Sequence, residues 1–143
     1  MTIAKIIAGR SADDIISCDI TTPLKQAVAL LAERRIGAVP VMQDGTVAGI
    51  VSERDVIYCL ANKEADCLNW PVERIMTSPA MTVTPETAID EALALMTRRR
   101  FRHFPVVSGG QLLAFISIGD LVKHKIDMVE HEAKQMRDYI QTA

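Results

Sequence analysis

An internal repeat constrains the fold of this chain more than any other feature of its sequence. When the sequence is shifted by 65 positions, residues 16–57 align with residues 81–122 without a gap, and eleven of the 42 aligned pairs are identical. The identical pairs include Pro40 and Pro105, Gly45 and Gly110, Ser52 and Ser117, and Asp55 and Asp120. Such a repeat in a short chain indicates two copies of one unit, each burying an apolar face against the other.

The size of the repeat predicts one body made of two pseudo-symmetric halves. A unit of about 60 residues buries only about 60% of the surface that its unfolded chain exposes, so it is marginally stable alone. The chain is 49% hydrophobic and 24% charged, which is ordinary for a globular protein. We therefore expect the two copies to pack together.

Charge and composition argue against several kinds of partner. A formal net charge of −2 gives no reason to expect binding to nucleic acid or to a membrane, and the apolar runs are too short to span a bilayer. Residues 1–7 lack a basic leader followed by a long apolar stretch, so we expect no secretory signal and a cytoplasmic location. Cys18, Cys59 and Cys67 form no C-x-x-C motif, which favours buried reduced thiols over a disulfide framework or a metal site.

Hydrophobic spacing and turn signals predict the order β-α-β-β-α in each copy. In the first copy, an extended stretch at 15–18 precedes an amphipathic helix that Thr22 caps and that Gly37 stops. Two strands follow at 38–42 and 47–51, joined by a two-residue Asp-Gly hairpin signal.

The second copy has the same signals. Thr87 is predicted to cap its first helix, and strands are predicted at 104–107 and 112–116 around a Gly-Gly turn. Each copy ends in a Ser-x-x-Asp motif that begins a further helix in a capping-box-like arrangement.

The repeat divides the chain into four predicted parts. Residues 1–61 form the first repeat with an N-terminal segment, 62–80 a linker and lead-in, 81–125 the second repeat, and 126–143 a C-terminal helical extension. Part of the linker resembles the N-terminal segment, which suggests that the copied unit begins before residue 16.

The C-terminal extension carries an apolar stripe suited to packing against another helix. Its apolar residues recur at spacings of 4-3-4-3-4, at Val122, Ile126, Val129, Ala133, Met136 and Ile140. We favour a contact with a second chain, as in a homodimer, because the stripe extends well past the repeat. The alternative is that this helix lies back on its own domain.

The ending of each copy resembles the G-h-h-S/T-x-x-D ending of a cystathionine-β-synthase-like (CBS) domain, where h is an apolar residue. The two endings are GIVSERD at 49–55 and AFISIGD at 114–120. The h-P-V stretches at 39–41 and 104–106 resemble the middle strand of the same family. Because two copies occur in one register, the resemblance is to a tandem CBS pair, and it covers roughly residues 1–125.

The resemblance implies a CBS pair, also called a Bateman module. Its fold would be α+β, with two β-α-β-β-α repeats packed as a pseudo-twofold pair and a C-terminal helix. Such modules bind adenine nucleotides or related adenosyl compounds in clefts between the repeats, and they commonly form disc-like dimers. The implied ligands are AMP, ADP, ATP or NAD, with S-adenosylmethionine as an alternative and no metal. Almost nothing lies outside the pair, so we expect a stand-alone sensor that signals occupancy to an unidentified protein.

By likeness to the family, each cleft combines the Ser/Asp ending of one repeat with strands of the other. The Asp carboxylate would accept ribose hydroxyls, and the Ser hydroxyl and helix N-terminus would suit phosphate or ribose oxygens. Cleft one is defined by Ser52, Arg54, Asp55, Met81, Thr82, Val83, Arg102, His103 and Pro105. Because Arg102 and His103 add cationic groups, this cleft is expected to favour phosphorylated adenosine.

Cleft two contains the second ending and strands of the first repeat. It is defined by Ser17, Cys18, Ala38, Pro40, Ser117, Asp120, Lys123 and His124. An uncharged Gly-Ala pair stands where cleft one has Arg102 and His103, and Lys123 and His124, one helical turn past Asp120, are candidates to replace that charge. An uncharged or differently oriented ligand is therefore an option for this cleft.

Two other functions stay open at this point. The Ser/Asp pairs could serve as helix caps alone, in a dimerisation or interaction protein with degenerate clefts. Catalysis is disfavoured, because the sequence has no nucleophile–base arrangement, no repeated metal-ligand spacing and no Walker-type loop. The two aspartates also fall in different clefts, so they do not form an acid/base pair.

Overall fold

The protein has an α+β fold with two similar halves, which confirms the predicted fold class. The structure is a computed structural model that describes residues 1–63 and 65–142. The helices are α1 (Ile3–Ile7), α2 (Leu24–Arg34), α3 (Glu53–Lys63), α4 (Ile89–Arg99) and α5 (Ile118–Thr142). The strands are β1 (Cys18–Asp19), β2 (Ala38–Gln43), β3 (Thr46–Ser52), β4 (His103–Ser108) and β5 (Gln111–Ser117). None of the described helices is both long and apolar enough to cross a bilayer.

Each half is built on an antiparallel hairpin, and the two hairpins contact each other through β3 and β5. In the first half, β1 adds in parallel to β2 and gives the order β1-β2-β3. In the second half, the corresponding strand is reduced to a single parallel bridge between Val83 and Val106. The repeated sequence therefore gives a repeated framework with a shorter sheet in the second half.

The two hairpin turns form where the sequence predicts them. Asp44 and Gly45 have φ angles of +51° and +80°, and Gly109 and Gly110 have φ angles of +58° and +79°. Two consecutive residues with positive φ match the twist of the flanking strands and join them tightly. Glycine is the residue that adopts this conformation at the lowest steric cost.

The predicted caps of α2 and α4 are wrong. Both helices begin one residue later than a threonine cap would require, at Leu24 and Ile89, and neither has a side-chain cap. The Thr22 hydroxyl instead accepts a hydrogen bond from the Asp19 N–H at 3.1 Å, and Thr87 does the same for Thr84 at 3.1 Å. Each threonine therefore closes the turn that leads into the helix.

Left-handed residues end these two helices. The sequence predicts that α2 runs to about Arg35 before Gly37, and the helix ends at Arg34 because Arg35 takes a left-handed conformation with a φ of +54°. Arg100 ends α4 in the same way with a φ of +59°. The chain thus turns towards its hairpin at equivalent points in both halves.

The segment that precedes each repeat in the chain packs into the core of the other half. Ile3, near the start of the chain, is fully buried in the core of the second half with Ile89 and Phe104. Val72, which follows the first half, is fully buried in the core of the first half. Backbone hydrogen bonds secure both segments, from Ile3 to Thr87 at 2.9 Å and from Val72 to Thr22 at 2.8 Å. Each core is therefore completed by a segment that lies outside its own repeat in sequence.

The C-terminal helix is longer than the domain on which it begins. Leu121 is buried in the second core, and the first turns of α5 pack against α4 and α1. From residue 129 to residue 142 every position is exposed. The alternative in which this helix lies back on its own domain therefore holds only for its beginning.

Replacing Ile3 with alanine tests the exchange of segments. The Ile3→Ala variant should lose about 2–5 kcal/mol of unfolding free energy, because it leaves a cavity in the second core. The neighbouring exposed Lys5 provides a control, since Lys5→Ala should change stability by less than about 0.5 kcal/mol. Chemical denaturation measures both values, and equal stability of the two variants would contradict the exchange.

Candidate functional site

Both Ser-x-x-Asp endings form capping boxes at the start of a helix. The Ser52 N–H donates to Asp55 Oδ2 at 2.9 Å, and the Asp55 N–H donates back to Ser52 Oγ at 3.3 Å. Ser117 and Asp120 make the same pair of bonds at 2.9 and 3.2 Å. In each motif the cap uses Oδ2 of the aspartate. The two sites then differ in what Oδ1 contacts.

In the first half, a residue of the linker forms a hydrogen bond with the carboxylate of Asp55. The Thr77 hydroxyl donates to Asp55 Oδ1 at 3.0 Å, and two backbone hydrogen bonds of 3.0 and 2.8 Å join Thr77 to Ile50. The approach requires a glycine at position 49, because a Cβ atom there would lie 2.7 Å from the Thr77 carbonyl oxygen. Both oxygens of Asp55 are therefore engaged within the chain.

In the second half, Asp120 faces a cavity between the repeats. The Arg10 guanidinium lies 3.1 Å from Asp120 Oδ1, and both residues line a cavity of about 450 Å³. This volume falls in the usual range for small-molecule sites, about 300–1,000 Å³. The full lining is Gly9, Arg10, Ser11, Asp14, Ile15, Ile16, Ile36, Ala38, His103, Ala114, Phe115, Ser117 and Asp120.

The cavity combines apolar surfaces with a few polar groups. Three isoleucines from the first half provide apolar surface, at positions 15, 16 and 36. The His103 and Phe115 rings stack with their centroids 5.4 Å apart and their planes 11° apart. The polar groups include Arg10 and the Ser117–Asp120 cap. This arrangement suits a ligand with one flat apolar part and one hydroxylated or anionic part.

Two of the titratable groups that line this cavity, Asp120 and His103, have shifted pKa values. Burial raises the pKa of Asp120, but the hydrogen bonds from Ser117 and the Arg10 guanidinium outweigh it, so the net pKa is lowered. Burial lowers the pKa of His103, and the carboxylates of Asp120 and Glu53 only partly oppose this effect. At neutral pH the cavity therefore contains an ionised Asp120, a neutral His103 and the cationic Arg10.

The residues predicted for cleft one are only partly brought together. Ser52 meets Asp55, and the Val83 N–H donates to the Pro105 carbonyl at 3.0 Å inside the second half. His103, predicted to lie with Asp55, lines the cavity beside Asp120 instead. The others lie elsewhere on the surface or in the core: Met81 packs on the second core, Thr82 and Arg102 are exposed, and Arg54 donates to the Arg100 carbonyl at 2.9 Å.

Three residues predicted for cleft two, Ala38, Ser117 and Asp120, do meet in one cavity, which thus draws on both repeats. Pro40 is buried within β2, and Ser17 lines a separate hollow of about 280 Å³. Cys18 is half-buried in β1, where burial and the Asp19 carboxylate raise its thiol pKa to about 11.

Lys123 and His124 do not line this cavity and so do not replace its missing charge. They lie about 4.5–6 Å further along the helix axis than Asp120, away from the N-terminus of α5 that borders the cavity. Lys123 is exposed, and the buried Nε2 of His124 makes no hydrogen bond with the described residues. The cation at the cavity is Arg10, which no motif in the sequence marks.

The described residues contain no group of three or more His, Cys, Asp or Glu side chains placed to hold a metal ion.

Removing the Arg10 side-chain charge tests the ion pair in the cavity. The Arg10→Gln variant should raise the pKa of Asp120, measured by NMR titration of its carboxyl carbon. The stability from this depressed pKa is present above the ordinary aspartate value of about 3.9 and is lost as the pH falls through the folded-state value. The variant should therefore show a weaker loss of stability on acidification. An unchanged Asp120 titration would contradict the pairing.

The family comparison agrees with the two-fold organisation of the fold. The family model for the CBS domain matches the chain twice, at residues 9–62 and 72–127. The chain is 32% identical over 139 residues to the mitochondrial CBS domain-containing protein CBSX3 of Arabidopsis thaliana, which covers 93% of this chain and 68% of that protein.

Solved structures share the fold along most of the chain. A protein with CBS domains from Burkholderia ambifaria is 39% identical, with a TM-score of 0.81, over 89% of this chain and 95% of that one. CBSX2 in complex with AMP matches with a TM-score of 0.76 over 89% of this chain and 97% of that one, and its 24% identity shows the fold alone. The chain belongs to the CBS domain family, and each of its halves carries one CBS domain.

Proposed function

We propose that this protein is a regulatory module that binds a phosphorylated adenosine ligand in cleft two and signals its occupancy to a partner protein. The ligand would be AMP, ADP, ATP or NAD. The observation that carries the proposal is the Arg10–Asp120 ion pair in a cavity of about 450 Å³ between the repeats. The cavity supplies one group for a phosphate, one for a ribose and apolar surface for a base.

The chemistry of the cavity gives each group a role. The outward Oδ1 of Asp120 would accept hydrogen bonds from the ribose hydroxyls, which are stronger when the acceptor is charged. Arg10 would then exchange its contact with Asp120 for the ligand phosphate, which its planar guanidinium can bind through two parallel hydrogen bonds. Ile15, Ile16 and Phe115 would pack against the adenine.

The same geometry ranks the two clefts and the candidate ligands. We assign the ligand to cleft two, because ligand binding to Asp55 in cleft one would first require Thr77 to leave. We rank the phosphorylated ligands above S-adenosylmethionine because the Arg10 guanidinium can bind a phosphate through two parallel hydrogen bonds. The shared fold of CBSX2, whose structure contains AMP, supports the adenosine class of ligand.

We further propose that the protein acts as a homodimer in the cytoplasm and has no catalytic role. Exposed apolar side chains on α3, at Ile57 and Tyr58, are 62% and 60% exposed and would be covered in a dimer. A ligand would act by favouring one dimer geometry over another, which requires that it bind one of them more tightly.

Isothermal titration calorimetry with AMP tests the assignment of cleft two. The Asp120→Asn variant should lose about 1.5–3 kcal/mol of binding free energy, because a charged hydrogen-bond acceptor is lost while the amide oxygen of asparagine can still accept the Ser117 N–H. The matched variant Asp55→Asn should leave AMP affinity close to that of the wild type. A larger loss in Asp55→Asn would assign the ligand to cleft one. Wild-type protein that binds none of AMP, ADP, ATP or NAD would favour the dimerisation protein with degenerate clefts.

Comparing AMP with adenosine tests the role of Arg10. The Arg10→Gln variant should lose most of the preference for AMP over adenosine, because only AMP presents a phosphate to the guanidinium. Arg102→Gln is the control, since Arg102 is exposed and lies outside the cavity lining. Equal losses for both ligands in Arg10→Gln would contradict a phosphate contact.

A further inference from the structure

The apolar stripe of α5 lies on a different face from the one that packs on its own half. The inward face at the start of the helix carries Leu121, His124, Lys125 and Met128, all buried or half-buried. The stripe (Val122, Ile126, Val129, Ala133, Met136 and Ile140) is exposed along its whole length, from 41% at Val122 to 68% at Ile140. A contiguous exposed apolar surface of this kind indicates an interaction site.

The spacing of the stripe is that of a heptad repeat. Ile126, Ala133 and Ile140 take the a positions, and Val122, Val129 and Met136 take the d positions. These a and d residues do not by themselves fix the number of strands, because valine stands at two of the d positions where leucine favours a dimer. The stripe covers 19 residues, from 122 to 140, or about 28 Å of helix, which is short for an independent coiled coil. It is therefore suited to a partner helix that another contact already holds nearby.

The flanking charges select a parallel arrangement of two copies. In a parallel pair, each g residue faces the e residue five positions later in its partner. This pairs Glu132 with the partner's Arg137 and Lys125 with the partner's Glu130, and both pairs are attractive. Lys125 already contacts Asp90 of its own chain at 2.9 Å, so the pair formed by Glu132 and Arg137 is the decisive one.

The antiparallel alternative brings like charges together. With the stripe fully overlapped, g residues face g residues and e residues face e residues. Glu132 would then face the partner's Glu132, Glu130 the partner's Glu130, and Lys123 the partner's Arg137. Like charges at these positions destabilise the pair and select against that orientation.

We propose that residues 122–140 of two copies form a parallel, in-register coiled coil. A two-fold axis along this coil places the second repeat of one chain beside the second repeat of the other. The proposal rests on the homodimer of the proposed function and specifies its orientation. The coil would join the two bodies at the repeat that contributes Ser117 and Asp120 to cleft two.

Cysteine cross-linking tests the orientation directly. In the parallel coil, the Ile140→Cys variant brings two thiols close enough for a disulfide, so oxidation should convert most of the protein into a covalent dimer. In the antiparallel pair, the two positions would be about 27 Å apart and no cross-link should form. The Gln135→Cys variant, on another face of the same helix, should stay uncross-linked like the wild type.

Reversing the charges at positions 132 and 137 provides a second test of the parallel coil. Glu132→Arg and Arg137→Glu should each raise the dissociation constant of the dimer roughly tenfold, because two attractive contacts become repulsive. A mixture of the two variants, or the double variant, should dimerise like the wild type. Sedimentation equilibrium measures these constants.

These experiments distinguish a failure of the coiled-coil proposal from a failure of the homodimer proposal. A dimeric wild type with no cross-link in Ile140→Cys and no response to charge exchange would overturn the parallel coil and leave the stripe to another partner. A monomeric wild type would overturn the homodimer itself. AMP binding is measured separately and stands apart from both results.

Discussion

The capping box at the start of α5 determines what the second repeat can offer to a ligand. Its hydrogen bonds hold Oδ2 of Asp120 against the backbone of Ser117, so the other carboxylate oxygen points into the space between the repeats. The cap and the proposed ligand site therefore use the same residue. Helix capping, which was an alternative to binding at the level of sequence, is the means by which the carboxylate is oriented.

The pseudo-symmetry of the fold places Asp55 and Asp120 at equivalent positions. The segments that contact them differ, so the two positions have different surroundings. The two aspartates have the same backbone contacts, yet one meets the hydroxyl of Thr77 and the other meets the guanidinium of Arg10. Neither partner lies within the repeated segments 16–57 and 81–122. The asymmetry thus comes from the segments that precede each repeated stretch.

Sequence patterns predicted the framework well, because they depend on local physics. The hairpin turns, the strands and the capping boxes follow from residues within a few positions of each other, such as Asp44 and Gly45. The exchange of leading segments and the position of Arg10 depend on contacts between residues far apart in the chain, and no periodicity encodes them. His103 lines the cavity of Asp120, although the sequence predicts it beside Asp55, because register alone does not say which side of the interface between repeats a side chain occupies.

The burial of Ile3 in the second core has a consequence for how the protein is made. The residues of the first core extend only to Met76, so this core can close while the ribosome is still adding the second repeat. Ile3 precedes both repeats in the chain, but the core that it enters is incomplete until Phe104 and Leu121 have been synthesised. The apolar segment around Ile3 is therefore synthesised before the first core and buried after it, and it stays exposed in the interval.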